Sequence, residues 1–189
     1  GIGHMTILFA KALGAEVTAI SRSHSKEEDS RKLGADHYIA TSDKDFASKH
    51  ALSLDLIVNT GSTFSGNNLT DLFQLLKARG KFVFITAPPS DENLTIAPFS
   101  LFSKNISVQG SAIGSIEEIE YMLKFAAEHN IKPWVETIDI SEEGLGTAWK
   151  RADEGDVKYR FTMVGYDKYF KNNQINFSFS NLNCNKFKL

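Results

Sequence analysis

Apolar positions along the chain switch repeatedly between a helical period and short, continuous β-branched runs. In "GIGHMTILFAKALGA", Met5, Leu8, Phe9 and Leu13 fall on one helical stripe, and Gly14 stands where a C-terminal cap belongs. "EVTAIS" reads as a buried strand. "SKEEDSRKLG" reads as a helix capped by Ser25, with acids in its first turn, bases in its last and Gly34 as its stop. "HYIAT" is a short strand. "LDLIVNTG" and "KFVFITAP" have the length and branching of parallel strands covered on both faces, and "NNLTDLFQLLKARG" between them is an amphipathic helix ending at Gly80. "ISVQGSAI" adds a strand and "SIEEIEYMLKFAAEHN" a strongly periodic helix. Strands are therefore expected around residues 16–21, 37–40, 54–60, 81–87 and 106–112. Alternation of this kind through about residue 130 predicts an α/β fold with a parallel sheet.

After Asn130 the texture changes. "KPWVETIDI" reads as a strand, "SEEGLGTAWKRADEG" as a helix opened by an S-x-x-G pattern, and "VKYRFTMVGY" as a strand with alternating faces. This block need not share the first sheet. Residues 1–130 are taken as one domain, 131–167 as part of another, and 168–189 as a terminal extension without fixed structure. Ile175, Phe177 and Phe179 alternate like a strand within it.

Composition narrows the function. The 189 residues are 42% hydrophobic and 23% charged, which are globular values. A net charge of -2 argues against a general nucleic-acid or anionic-membrane binder. No apolar run approaches the roughly 18 residues of a membrane helix, and no signal pattern opens the chain. The single cysteine, Cys184, excludes an internal disulfide and a multi-cysteine zinc site. A soluble, cytoplasmic protein is the expectation.

The chemistry begins with "GIG" immediately before a helix. Glycine lets the backbone approach an anion, and the free N–H groups and dipole of the helix N-terminus bind it. Eighteen residues after Gly3 a strand ends at Ser21, the place of the ribose-reading residue in a dinucleotide fold. An acid there would bond a 2′-hydroxyl and repel a 2′-phosphate. Ser21, Arg22 and Lys26 instead offer one neutral and two cationic donors to a dianion, which points to NADP(H) in preference to NAD(H). The plainer alternative makes Arg22 and Lys26 solvated charges beside an acidic helix.

"GIGHM", "AKALGAEVTAISRS", "LGADHYIATSD", "DLIVNT", "GSAIGSIEEIEYML", "IKPWVETI" and "DVKYRFTMVGYD" together resemble the zinc-dependent medium-chain alcohol dehydrogenases, from Gly1 to about Asp167. The cinnamyl-alcohol-dehydrogenase branch, NADP-dependent enzymes that interconvert aldehydes and primary alcohols, is the most similar. The resemblance implies a Rossmann domain inserted into a catalytic domain, so residues 131–167 would rejoin the latter. It implies a small aldehyde or alcohol substrate and a homodimer joined along "ISVQGSAI". Carried over by position, Gly1, Ile2 and Gly3 match the end of the glycine loop, and Ser21, Arg22 and Lys26 the 2′-phosphate site. Thr60, Gly61 and Ser62 match the ribose passage, Ser111, Ala112, Ile113 and Gly114 the nicotinamide half, and Lys158 a basic residue near the cofactor phosphates. His4 either touches the pyrophosphate or substrate side or bonds to backbone within the first helical turn.

Two departures qualify this picture. The family's zinc ligands precede the glycine loop, and His4, His24, His37, His50 and His129 show no metal-binding pairing, so neither catalytic nor metal-ligating residues are assigned. The first Rossmann strand, central in the order 3-2-1-4-5-6, is also missing. Losing four or five buried aliphatic side chains at about 1.5–3 kcal/mol each rivals a whole domain's stability of about 5–15 kcal/mol. The expectation is an incomplete Rossmann sheet with a gap between the strands at 16–21 and 54–60, in a C-terminal piece of a dehydrogenase that is inactive alone. A non-enzymatic NADP(H)-binding module is the alternative. A short-chain dehydrogenase is disfavoured, because no tyrosine has lysine four residues on.

Overall fold

In a computed structural model of the chain, residues 1–61, 69–87, 90–91 and 93–170 are described. Ser62 and the strand-like run at 175–179 lie outside them. The chain divides into two compact units, Gly1–Pro133 and the residues from Trp134 on.

The first unit opens with α1 (Ile2–Ala12), β1 (Thr18–Ser21), α2 (Glu27–Lys32), β2 (His37–Ala40), α3 (Phe46–Lys49) and β3 (Leu54–Asn59). It continues with α4 (Leu69–Leu75), β4 (Leu76–Phe84), α5 (Pro98–Phe102), β5 (Ser107–Gly110) and α6 (Ile116–Glu128). Every strand pairing is parallel, as the alternation predicts. Gly14 takes φ +83° and its N–H reaches the Lys11 carbonyl, while Ala15 N–H reaches that of Ala10. This left-handed closure of α1 is open to glycine at little cost. At the other end of the helix–strand turn, Asp36 accepts from Lys11 Nζ at 2.6 Å and Val17 N–H at 2.8 Å.

The core lies between α4 and the β3–β4–β5 ladder, where Phe73, Leu75, Leu76 and Phe82 are fully buried. Phe73 and Phe82 meet edge to face with ring centroids 5.4 Å apart, the arrangement aromatic quadrupoles favour. The strands form two ladders, β1–β2 and β3–β4–β5, and no described strand pairs with the remaining edge of β1 or β3. The expected double covering of β3 is therefore not met: Ile57 is buried, but Leu56 is 51% exposed. Nor is β1 the buried strand it reads as, since all four of its residues are only half-buried.

Two local expectations are corrected. Helix α4 stops at Leu75, not Gly80, because the chain turns into β4 through an irregularity in its pairing with β3 between Leu54 and Leu56. Arg79 takes φ +62° there, and a β-carbon on Gly80 would press to 2.9 Å from the Lys77 carbonyl. Ser25 does not cap α2. A single 3₁₀ turn, His24–Lys26, precedes that helix, and the Ser25 hydroxyl meets Ser23 Oγ at 3.0 Å instead.

The second unit contains β6 (Glu136–Asp139), α7 (Glu142–Asp153), β7 (Phe161–Val164) and α8 (Tyr166–Phe170), with β6 and β7 parallel. Ser141 caps α7 by accepting from Gly144 N–H at 3.0 Å. Residues 168–170, expected within a terminal extension, are helical: Lys168 Nζ and the Tyr169 hydroxyl both donate to Asp139 at 2.9 Å.

Candidate functional site

Glycine at position 3 is set by packing. Gly3 lies in the first turn of α1, and a β-carbon there would stand 3.1 Å from Thr60 Oγ1. The N-terminus of α1 thus meets the end of β3. Gly1 is the N-cap and supplies no side chain, no acid occupies the first turn, and Ile2 is exposed beside it. Such a helix end carries positive potential. His4 is buried and its Nδ1 bonds to the Gly1 carbonyl, the second of the two positions anticipated for it.

The C-terminal ends of β3, β4 and β5 are laced together. Ile85 N–H reaches the Asn59 carbonyl at 3.3 Å, the Thr86 hydroxyl donates to the Gly61 carbonyl at 2.6 Å, and Ser111 N–H reaches the Phe84 carbonyl at 2.8 Å. Thr60, Gly61 and Ser111 therefore share the carboxyl edge of one parallel ladder, where ligands bind in open α/β sheets. Asn59 Nδ2 is buried there without a hydrogen-bond partner among the described residues. Ala112 and Ile113 are exposed, Ile113 almost completely.

A second group surrounds the turn after β1. Ser21 ends that strand, its carbonyl accepting from Thr41 N–H at 2.8 Å, and the Arg22 carbonyl accepts from Ser42 N–H at 3.0 Å. The Tyr38 hydroxyl donates to the Ser23 carbonyl at 2.6 Å. Arg22 and Lys26 are exposed, and neither side chain has an ion-pair partner among the described residues. Their neighbours are engaged: Lys32 with Glu28 at 2.6 Å and Arg31 with Glu27 at 3.6 Å. His24 Nδ1 lies 2.8 Å from Glu27 Oε2 and its Nε2 3.0 Å from Asp43 Oδ1. Glu27 first, then Asp43, raises the His24 pKa above its ordinary value, and His24 lowers that of Glu27. Sequence reasoning missed this clamp: Glu27 is three residues from His24, but Asp43 is nineteen away and nothing local announces it.

Lys158 belongs to the second unit, where its backbone N–H donates to Glu136 Oε1 at 2.6 Å. Arg151 holds the same carboxylate at 2.8 Å and Asp156 at 2.9 Å.

Strand order and the glycine-to-strand contact define a Rossmann-like α/β unit. Residues 1–128 match the zinc-binding dehydrogenase family, and the chain belongs to it. NADP-dependent alcohol dehydrogenase 6 of Saccharomyces cerevisiae is 44% identical over 171 residues, 90% of this chain and 47% of that protein. The 8-hydroxygeraniol dehydrogenase of Catharanthus roseus is 39% identical over 164 residues, 86% of this chain and 44% of that one. Among solved structures, a cinnamyl alcohol dehydrogenase of Sorghum bicolor superposes with TM-score 0.77 at 34% identity, over 85% of this chain and 44% of its own. A Helicobacter pylori counterpart complexed with NADP(H) gives TM-score 0.70 at 28% identity, over 85% and 44%. The chain spans about half the length of the curated relatives it matches.

Among the described residues, no group of three or more His, Cys, Asp or Glu side chains is placed to hold a metal ion. Those residues do not fit the zinc in the family's name. No helix among them is long and apolar enough to cross a membrane.

Proposed function

We propose that this chain supplies the NADP(H)-binding half of an alcohol dehydrogenase that interconverts aldehydes and primary alcohols. The carrying observation is the turn after β1, where Arg22 and Lys26, exposed and without an ion-pair partner among the described residues, follow Ser21 and no acid ends the strand. A 2′-phosphate would take the Ser21 hydroxyl and both cations. The pyrophosphate would lie on the N–H groups of α1 over Gly1, Ile2 and Gly3, where a larger side chain at position 3 would meet Thr60. Thr60 and Gly61, with Ser62 outside the described residues, would border the ribose. Asn59 Nδ2 offers a donor at the same strand end. Ser111, Ala112 and Ile113, followed by Gly114, would line the nicotinamide half.

Bound there, NADP(H) would supply the hydride chemistry. The residues named bind and orient it, and none is assigned to polarise the substrate oxygen. Four of the five described histidines are engaged otherwise: His4 with Gly1, His24 with Glu27 and Asp43, His37 with Glu16 and His129 with the Phe125 carbonyl. Turnover is accordingly assigned to the whole enzyme, in which a homodimer along β5 is part of the same proposal. Titration of the purified chain with NADPH and NADH, read by nicotinamide fluorescence, tests the binding. Tighter binding of NADPH is expected; equal or weaker binding contradicts the reading.

A further inference from the structure

His24 is clamped, not merely solvated. Carboxylate oxygens face both ring nitrogens, Glu27 Oε2 at 2.8 Å and Asp43 Oδ1 at 3.0 Å. Ionised carboxylates only accept, so both nitrogens must donate, and only the imidazolium carries two N–H groups. Neutral imidazole keeps one of these bonds and turns a lone pair toward the other carboxylate.

The clamp closes the turn that carries Arg22 and Lys26. Glu27 opens α2, Asp43 lies in the loop after β2, and Tyr38 of β2 reaches over the Ser23 carbonyl with its ring 6.0 Å from that of His24. The charged groups around the ring are thus Glu27 and Asp43 in contact and Arg31 behind Glu27, with Arg22 and Lys26 on the same turn. Tyr38 is a further titratable neighbour. Losing the His24 proton removes one positive charge beside the anion platform, leaving Glu27 with Arg31 and Asp43 without the imidazolium.

We propose that His24 is a positioning residue whose protonation, through Glu27 and Asp43, sets the affinity of the Ser21–Lys26 turn for a 2′-phosphate. This rests on the cofactor reading above. The clamp is intact while His24 is protonated and both carboxylates are ionised, and is released as pH rises through the His24 pKa, which lies above the ordinary 6.5. The phosphate's own second ionisation near pH ~6 acts in the opposite direction, so only a comparison isolates the histidine.

The test uses the whole chain with adenosine 2′,5′-bisphosphate, and 5′-AMP as the probe lacking the 2′-phosphate. The ratio of their affinities, measured by calorimetry between pH 6 and 8.5, reports the 2′-phosphate alone. Relative to His24→Gln, the unmodified chain should lose about two- to fivefold in that ratio across the range, the scale of one exposed charge interaction. Asp43→Asn should raise the ratio at pH 8.5. In the unmodified chain, the His24 Cε1 proton should titrate at higher pH when the bisphosphate is bound and be unmoved by 5′-AMP, since linkage is reciprocal. Parallel pH profiles for the unmodified chain and His24→Gln, or a His24 titration indifferent to the bisphosphate, overturn the proposal. A ratio near one at every pH overturns the cofactor reading itself.

Discussion

Gly3 and Thr60 meet where α1 begins and β3 ends: a β-carbon on Gly3 would stand 3.1 Å from Thr60 Oγ1. Alanine there gains helix propensity of about 0.5–1 kcal/mol but must displace that hydroxyl by a few tenths of an ångström. Gly3→Ala should therefore change stability little while weakening NADPH binding severalfold. Gly3→Val, with two further carbons, should lose both. Thermal melts and NADPH titrations of the two variants check this; unchanged NADPH affinity in Gly3→Val contradicts it.

Lys104 closes the end of α4 from a distance. Its ammonium donates to the Phe73 carbonyl at 2.6 Å and the Leu76 carbonyl at 2.8 Å, and burial pushes its pKa below the ordinary lysine value. Replacement by methionine keeps much of the stem and leaves these carbonyls without their donor. Lys104→Met should destabilise the first unit by about 1–3 kcal/mol, the cost of unpaired buried polar groups, as measured by urea unfolding.

The same lysine explains one limit of the sequence reading. Local pattern carries the helix on through "LLKARG", but Leu75 and Leu76 are both fully buried and Lys104 caps the helix from far along the chain. Strand positions were legible where β2, β3 and the second half of β4 carry a compact apolar run between turn signals. The proposed cradle rests on the same kind of signal, its residues falling at fixed offsets from strand ends. The burial of His4 and the reach of Asp43 to His24 depend on folded contacts that no spacing encodes.

Glu136 anchors the second unit. The Lys158 N–H, then Arg151, holds its pKa below the ordinary carboxylate value. A lowered folded value means that its stabilisation is full above the unfolded pKa near 4.5 and is lost as pH falls through the folded value. Acid unfolding monitored by tryptophan fluorescence should report it, since Trp134 lies beside Tyr159 with ring centroids 6.0 Å apart. Glu136→Gln should unfold at lower temperature at pH 7 and lose part of the acid sensitivity. An unchanged acid transition would contradict the assignment.

The chain with Zn²⁺, NADPH and an aromatic or medium-chain aldehyde should not consume NADPH. The described histidines named above are engaged, and no described cluster suits a metal. NADPH absorbance with a parallel metal assay measures this. Zinc-dependent turnover with stoichiometric bound metal would require a ligand set other than any described here.

The central claim is that Ser21, Arg22 and Lys26 read a 2′-phosphate, and Arg22→Asp tests it most directly. Charge-assisted bonds contribute about 1.5–3 kcal/mol, so the substitution should cost NADPH roughly tenfold to over a hundredfold in dissociation constant. NADH, with a 2′-hydroxyl that an acid can bond, should be spared or gain. Dissociation constants for both cofactors, before and after the change and in the same buffer, should invert in order. NADPH and NADH bound equally well by both proteins would contradict the account.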